Sequence, residues 1–168
     1  AGVNMQFNTT VVRLAQQADR ITGAWVQQTG QSEPVCMEAD YTVVCLGEQA
    51  PFILEKVGIS SQIYPVKGYS ITAPIIDPVH TPKVSLIDEA LRIVCSPLEN
   101  RLRIAGTAEF NGHDYSISAA RTEILLAWGR AHFGEAVDFS AATPWSGLRP
   151  MRPSGLPHLG ASPRPLSR

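Results

Sequence analysis

The sequence predicts a mixed fold, α/β in its first part and α+β in its second. Three patterns carry this prediction: a continuous apolar run at 41–46, several strand candidates between 69 and 108, and a long helical segment at 117–133. Continuous apolar runs are typical of parallel strands that are covered on both faces. Alternating runs are typical of antiparallel sheets with one solvent-facing side.

The chain opens with short strand candidates. Val3, Met5 and Phe7 alternate with polar residues, which predicts a half-buried strand. Further extended, β-rich stretches lie at 11–14 and 21–26, separated by turn residues. Residues 1 to about 39 are therefore predicted to form a small antiparallel group of strands.

The run Tyr41–Leu46 is predicted to be a buried parallel strand that ends at Gly47. The apolar spacing at 52–57 predicts a helix, with Gly58 as its stop. In a strand–glycine–helix layout of this kind, ligands bind at the carboxyl end of the strand.

The second part is predicted to be a sheet with one helix. Strand candidates lie at 69–73, 84–87, 91–95 and 101–108, and the last of these alternates between two distinct faces. The helix is predicted at 117–133, with Ser118 as its N-cap and Gly134 as its end.

Composition excludes several classes of function. The chain has 168 residues and a net charge of −1, so no basic field is available for nucleic-acid binding. Its three cysteines form no CxxC and its four histidines show no ligand spacing, which predicts reduced thiols in a cytosolic setting and no metal site. Neither a signal peptide nor an apolar run of about 20 residues is present.

Arg149 is the most informative residue of the last quarter of the chain. It precedes Pro150, which favours an extended backbone at the arginine. A charged, planar guanidinium on a stiff backbone suits a small carboxylate, which it binds through two parallel hydrogen bonds. On these residues alone, a proline-rich surface loop with an incidental arginine is an equal alternative.

Four motifs occur in a fixed order along the chain. They are Val-Val-Cys-Leu-Gly (43–47), Tyr-Pro-Val-Lys-Gly-Tyr-Ser (64–70), Ile-Ala-Gly-Thr-Ala-Glu (104–109) and Trp-Ser-Gly-Leu-Arg-Pro-Met-Arg-Pro-Ser-Gly-Leu-Pro (145–157). Together they resemble the FAD-dependent D-amino-acid oxidase and glycine oxidase superfamily, and within it most closely the small, catalytic subunit of bacterial D-amino-acid dehydrogenase.

The resemblance implies part of a two-domain FAD oxidoreductase. Residues 1–64 would be the end of the FAD-binding domain, and residues 65–143 a substrate-binding α+β domain with a mixed or antiparallel sheet flanked by helices. Residues 144–168 would be a truncated segment that returns toward the FAD domain.

The implied activity is oxidative deamination of D-amino acids to 2-oxo acids and ammonia, with FAD as cofactor. Electrons would pass to a quinone or another respiratory-chain acceptor. The implied location is cytoplasmic, with peripheral association at the inner face of the bacterial membrane left open. A glycine- or sarcosine-type amine oxidase is the alternative within the superfamily.

The resemblance also implies site residues. No catalytic acid or base is expected, because the cofactor accepts the hydride and the protein supplies binding and alignment. Arg149 would bind the substrate carboxylate, and Tyr69 is a further substrate-contact candidate. Cofactor contacts are expected from Val11, Gly47, Lys67, Gly68 and Pro150, although ordinary structural roles remain open for Val11 and Gly47.

Three departures from the family pattern bear on these expectations. The 168 residues contain no GxGxxG, which receives the FAD pyrophosphate in the family. They also lack the family's C-terminal flavin-closing loop, and Ser154 stands where the family has Asp. The expectation is a central-to-C-terminal fragment whose isolated form is inactive, with a purely structural or binding module as the alternative.

Overall fold

The computed structural model describes residues 2–161, which form two compact units. The first unit combines the described parts of 1–63 and 151–168, and the second comprises Tyr64–Pro150. Residues 162–168, the end of the predicted returning segment, lie outside the described residues. Among the described residues, no helix is both long and apolar enough to cross a membrane.

The first unit contains a three-stranded antiparallel sheet and a short helical stretch. The strands, in the order β1-β2-β3, are β1 (Thr9–Gln17), β2 (Arg20–Gln28) and β3 (Val35–Glu38). Helix α1 (Ala50–Leu54) lies between two 3₁₀ turns, Gly47–Gln49 and Glu55–Val57. A small core forms where Leu14 of β1 packs with Ile53 and Val57.

The helical stretch ends at Gly58 as predicted. This residue has φ of 76°, in the left-handed region that glycine adopts without steric cost.

The predicted parallel strand at 41–46 is wrong for the described structure. The segment is not assigned to any strand, although its side chains alternate: Val44 and Leu46 are half-buried against the core of the first unit, whereas Tyr41 and Val43 are exposed. A strand requires a neighbour for its ladder of hydrogen bonds. The described residues provide none for this segment, so only the alternation of its side chains remains.

The strand predicted from Val3, Met5 and Phe7 is also absent. These side chains are exposed, and the first strand begins only at Thr9. Alternation of apolar and polar residues was therefore not sufficient to predict a strand here, because no other part of the described chain covers the apolar side of this segment.

The second unit is a five-stranded sheet with one helix on one face. The strand order is β5-β6-β7-β4-β8, and the pairs β5–β6, β6–β7 and β7–β4 are antiparallel. The strands are β4 (Tyr64–Pro74), β5 (Leu86–Asp88), β6 (Ile93–Leu98), β7 (Arg101–Glu109) and β8 (Thr143–Met151). The predicted mixed fold with an antiparallel sheet is confirmed.

Helix α2 (Ala119–Phe133) covers the apolar face of this sheet. Leu125 of the helix is fully buried together with Ile71 and Ile104 of the central strands. Ser118 occupies the N-cap position as predicted, although its side chain makes no capping hydrogen bond, and Gly134 follows the last helical residue with φ of 47°.

No strand was predicted at the start of the segment 144–168, which was expected to return toward the FAD domain. The structure has a strand there, β8 (Thr143–Met151), at the edge of the sheet beside β4. Proline is compatible with an edge strand because the missing N–H can face solvent rather than a neighbour. Pro144 and Pro150 therefore fit this strand.

Candidate functional site

Strand β7 carries an extra residue opposite β4. Gly68 pairs with Ala108 and Tyr69 pairs with Gly106, so Thr107 has no partner, and its φ is 59°. An extra residue reverses which side chains face each side of the sheet beyond that point. Glu109 therefore shares a face with Tyr69, where a regular ladder would have placed the side chain of Ala108.

A buried ionic cluster forms on this face, with Lys67 at its centre. Lys67 is 1% exposed, and its Nζ lies 2.8 Å from Oδ2 of Asp114 and 3.7 Å from Oε2 of Glu109. The same ammonium lies 5.4 Å from the centre of the Tyr69 ring. The Tyr69 hydroxyl donates a hydrogen bond of 2.5 Å to Glu109. All four side chains are thus held by one another within the second unit.

The cluster shifts the pKa values of Lys67 and Asp114 in the directions that keep both charged, and that of Tyr69 in the direction that keeps its hydroxyl protonated. The hydrogen bond to Asp114 raises the pKa of Lys67 above its ordinary value of 10.5, against the opposing effect of burial. The same bond, aided by Ser116, holds the pKa of Asp114 far below 3.8. Burial, followed by the bond to Glu109, raises the pKa of Tyr69. Lys67 and Asp114 are therefore both ionised across the neutral pH range.

Hydrogen bonds attach the loop at 110–118 to both β4 and β8, and one of them runs from the Gly112 N–H to the Tyr64 hydroxyl at 3.3 Å. Asp114, the partner of the buried lysine, also accepts hydrogen bonds from Asn111 Nδ2 at 2.7 Å and from the backbone N–H and hydroxyl of Ser116. On the other side, the Ser146 hydroxyl of β8 donates to the backbone carbonyl of Tyr115 at 3.1 Å. The loop thereby connects strand β4 to strand β8, three residues before Arg149.

Arg149 lies on the opposite face of the sheet, above Gly68. A Cβ built on Gly68 would lie 3.5 Å from Nη2 and 3.8 Å from Nη1 of Arg149. The arginine side chain is exposed, as is the adjacent Pro150. None of the ion pairs among the described residues includes Arg149. Its guanidinium is thus free of any carboxylate partner in the described part of the chain.

Gly68 is not required by the conformation or packing of its own unit. Its φ is outside the left-handed region, and the three atoms nearest to a built Cβ all belong to the Arg149 guanidinium, at ordinary van der Waals distances. The second unit would accept a methyl group here. The absence of a side chain therefore leaves space beside the guanidinium for a group that approaches the backbone closely.

The structure brings some of the predicted site residues together and separates others. Gly68 and Arg149 share the face of the sheet opposite α2, which we call the open face. Tyr69 and Lys67 lie on the opposite face, 2% and 1% exposed, with their polar ends occupied by Glu109 and Asp114. In this geometry the two side chains support the strand rather than contact a ligand on the open face.

The two remaining cofactor candidates, Val11 and Gly47, both belong to the first unit. Val11 packs partly buried against its small core. Gly47 begins a 3₁₀ turn with φ of 55° instead of ending a strand. That conformation explains a glycine at position 47 without reference to a ligand.

Sequence reasoning missed three residues of this region: Glu109, Asp114 and Arg103. Glu109 and the buried lysine could not be paired from sequence, because the bulge at Thr107 decides on which face the glutamate lies. A signal existed for the loop, since the residues around Gly112 are of the types that favour turns. The position of Arg103 on the open face follows from the alternation of β7 once β4 is known as its neighbour.

Comparison with known proteins identifies the family. The model of a family described as FAD dependent oxidoreductase (DAO) matches residues 1–167. The chain belongs to this family. It is 39% identical over 160 residues to a D-amino acid dehydrogenase of Dechloromonas aromatica, which covers 95% of this chain and 38% of that protein. A D-amino acid dehydrogenase of Granulibacter bethesdensis is 40% identical over 159 residues, covering 95% and 37%. The chain thus spans little more than a third of these relatives.

Two solved structures share the fold. Glycine oxidase from Geobacillus kaustophilus superposes with a TM-score of 0.72 at 27% identity, over 94% of this chain and 40% of that one. L-proline dehydrogenase from P. horikoshii gives a TM-score of 0.71 at 12% identity, over 92% and 41%, which shows likeness of fold alone.

Proposed function

We propose that this chain is part of an FAD-dependent D-amino-acid dehydrogenase, in which Arg149 binds the carboxylate of the substrate. The observation that carries the proposal is the exposed Arg149 guanidinium above Gly68, with no carboxylate partner among the described residues. Similarity to known proteins supports the proposal, because the relatives at 39% and 40% identity are D-amino acid dehydrogenases.

A Cβ built on Gly68 would meet only the Arg149 guanidinium, at 3.5–4.0 Å. A bare backbone facing an unpaired guanidinium suits the substrate end of a flavin site, which Gly68 and Pro150 of the second unit would border. The chain contains no GxGxxG for the pyrophosphate, so that part of the cofactor is not held by these residues.

The contribution of this chain to the reaction is binding and orientation. Bound FAD supplies the two-electron oxidation of the amino acid at Cα. Arg149 would hold the substrate carboxylate through two parallel hydrogen bonds and thereby fix the direction of the Cα–H bond. The described face provides no carboxylate near Arg149 that would compete for the guanidinium. The resulting imino acid is hydrolysed to a 2-oxo acid and ammonia.

The buried cluster would act by supporting this arrangement. Lys67 and Asp114 fix the loop at 110–118, and that loop bonds to Ser146 on the strand that carries Arg149. We assign Lys67 and Tyr69 to this supporting role, because their polar ends are already occupied. The electron acceptor is proposed to be a quinone or another respiratory-chain component, reached at the inner face of the bacterial membrane.

A turnover assay on the whole protein that contains this chain tests the proposal. FAD-loaded protein should form 2-oxo acid and ammonia from D-amino acids, but not from their L-enantiomers, when an artificial quinone is the acceptor. Arg149→Lys should lower this turnover, whereas the matched control Arg152→Lys should not. The Arg152 guanidinium donates to backbone carbonyls of Ser61 and Leu156 within its own unit. Absence of D-amino-acid turnover in the FAD-loaded protein would refute the proposal.

A glycine-type amine oxidase is the second candidate, favoured by the likeness to glycine oxidase at 27% identity. The same assay separates the two functions. A higher kcat/KM for glycine than for any D-amino acid, with oxygen as the preferred acceptor, would favour the oxidase. A whole protein that holds no FAD would instead favour a structural or binding role.

A further inference from the structure

The open face of the second sheet carries a groove next to the Gly68–Arg149 pair. Its volume is about 490 Å³, and it is lined by Ser70, Thr72, Arg101, Arg103, Thr143, Pro144 and Trp145. Ser70 and Thr72 continue the face of β4 that begins with Gly68, since side chains two residues apart share a face. The groove and Arg149 therefore lie on the same surface.

Arg103 is held in the groove by two contacts. Its Nη2 donates to the Ser70 hydroxyl at 3.1 Å, and its Cζ lies 5.3 Å from the centre of the Trp145 ring. The ring lies across Gly147, where a Cβ would come within 2.2 Å of it, so only glycine there leaves room for the ring in this position. Stacking on an aromatic face orders the guanidinium while leaving its other N–H groups available.

The positive charge of the groove is not neutralised by the described residues. Arg101 donates to the backbone carbonyl of Thr72 at 3.3 Å, and Arg103 donates to a hydroxyl. Neither arginine takes part in any of the ion pairs found in residues 2–161. With Arg149, the face presents three guanidinium groups to solvent or ligand and no carboxylate paired with them. This is the charge pattern of a site for an anion with more than one carboxylate.

We infer that this groove binds the side chain of an acidic substrate, with Arg103 as the main contact for its second carboxylate and Arg101 at the rim. The inference rests on the proposed function, in which Arg149 takes the first carboxylate. Ser70, the partner of Arg103, follows Gly68 by two strand residues, or about 7 Å. In an acidic amino acid, three or four C–C bonds of about 1.5 Å separate the two carboxyl carbons. The C–O bond of each carboxylate and the hydrogen bond it accepts add about 1.2 Å and about 2.9 Å at each end, so one such molecule can span the two β4 positions beside Arg149 and Arg103.

The test compares D-glutamate with D-alanine on the whole FAD-loaded protein and on its Arg103→Met variant. Loss of a charged hydrogen-bond partner should lower the ratio of kcat/KM for D-glutamate over D-alanine roughly ten- to a hundredfold. Arg130→Met is the matched control, because Arg130 lies on α2, exposed and paired with Glu123 at 2.9 Å. It should leave the ratio as in the parent protein, so an equal change in both variants would overturn the inference.

Binding measured by tryptophan fluorescence on the same samples separates failure of this inference from failure of the proposed function. D-Glutamate that binds in an Arg103-dependent way, with turnover of neither D-glutamate nor D-alanine, would refute the proposed dehydrogenase activity and support the groove. Turnover of D-alanine with a substrate ratio that Arg103→Met does not change would support the activity and refute the groove. D-Glutamate that neither binds nor reacts would also refute the groove.

Discussion

Gly68→Ala separates a structural glycine from one that leaves room for a ligand. The backbone at Gly68 is outside the left-handed region, and the methyl group would meet only the Arg149 guanidinium, at 3.5–4.0 Å. Glycine within a strand is less stable than alanine by about 0.5–1 kcal/mol. For proteins of 150–250 residues each kcal/mol shifts Tm by about 2–4 °C, and the shift shrinks as the cooperative unit grows. The variant of the whole protein should therefore melt no earlier than the parent, and up to about 4 °C higher.

The same methyl group should weaken substrate binding. If the carboxylate of the substrate occupies the space beside Arg149, the methyl displaces it, and forcing an extra carbon into a filled site costs about 1–3 kcal/mol. Since 1.4 kcal/mol is a factor of ten, KM for D-amino acids should rise roughly five- to over a hundredfold. Thermal unfolding and steady-state kinetics on the whole FAD-loaded protein measure the two effects.

Gly106→Ala is the matched control for this substitution. It lies opposite Tyr69 on β7, but its Cβ would come within 3.0 Å of Ile93 and 3.2 Å of the Arg92 backbone carbonyl. This variant should lose stability, because a backbone atom cannot give way as a flexible side chain does. The reasoning about Gly68 would be refuted if its alanine variant melted as early as the control, or if it kept the parent KM.

Four further predictions concern the buried cluster, FAD binding by the isolated chain and the stability of individual segments. Asp114→Asn should lower Tm at pH 7, where Lys67 and Asp114 are both charged. The difference in Tm from the parent should disappear as pH falls through the lowered pKa of Asp114. A difference in Tm that does not change with pH would contradict an ion pair between Lys67 and Asp114. In the parent, the contribution of Lys67 should be present below pH 10.5 and decline only as pH rises through its raised pKa. The 168-residue chain alone should bind FAD weakly in a fluorescence titration, because it contains no GxGxxG, and tight stoichiometric binding would contradict this. Hydrogen exchange should be slower at 101–108, in the sheet interior, than at 41–46, which has no strand partner among the described residues; the reverse order would refute the assignment.

The sequence was sufficient for elements whose signals are local. Helix α2 was predicted from its apolar spacing and the residues at its ends, Ser118 and Gly134. Strand β7 was predicted from the alternation at 101–108. The helix is decided by its own period and end residues, whereas the alternation of β7 correctly predicted a strand because its partners β4 and β6 are present in the described chain.

Elements that depend on distant partners were not predictable in the same way. The segment 41–46 has the composition of a strand, but a strand exists only with a neighbour. Lys67 was expected from the resemblance to contact the cofactor, and its burial in an ion pair was not foreseen, because lysine is rarely buried without a partner. Its partners, Glu109 and Asp114, become visible only after the bulge at Thr107 sets the register of β7 on β4.

The candidate site likewise has one part that the sequence predicted and one part that it did not. Arg149 was found from its motif, and the structure adds that it meets Gly68 across two neighbouring strands. The groove around Arg103 has no motif, because it is assembled from alternate residues of β4, β7 and β8. A surface of this kind requires the strand order, which sequence patterns do not give.

The most direct test of the central claim is the rate of flavin reduction by a D-amino acid in the absence of oxygen. Parent protein, Arg149→Lys and Arg149→Ala are compared at equal FAD content. If Arg149 orients the substrate carboxylate, both variants should lose about 1.5–3 kcal/mol of stabilisation, which lowers the reduction rate at low substrate roughly ten- to over a hundredfold. Lysine should restore little of it, because a single ammonium cannot form the two parallel hydrogen bonds. Parent-like reduction in both variants, or loss of FAD as their only defect, would contradict the claim.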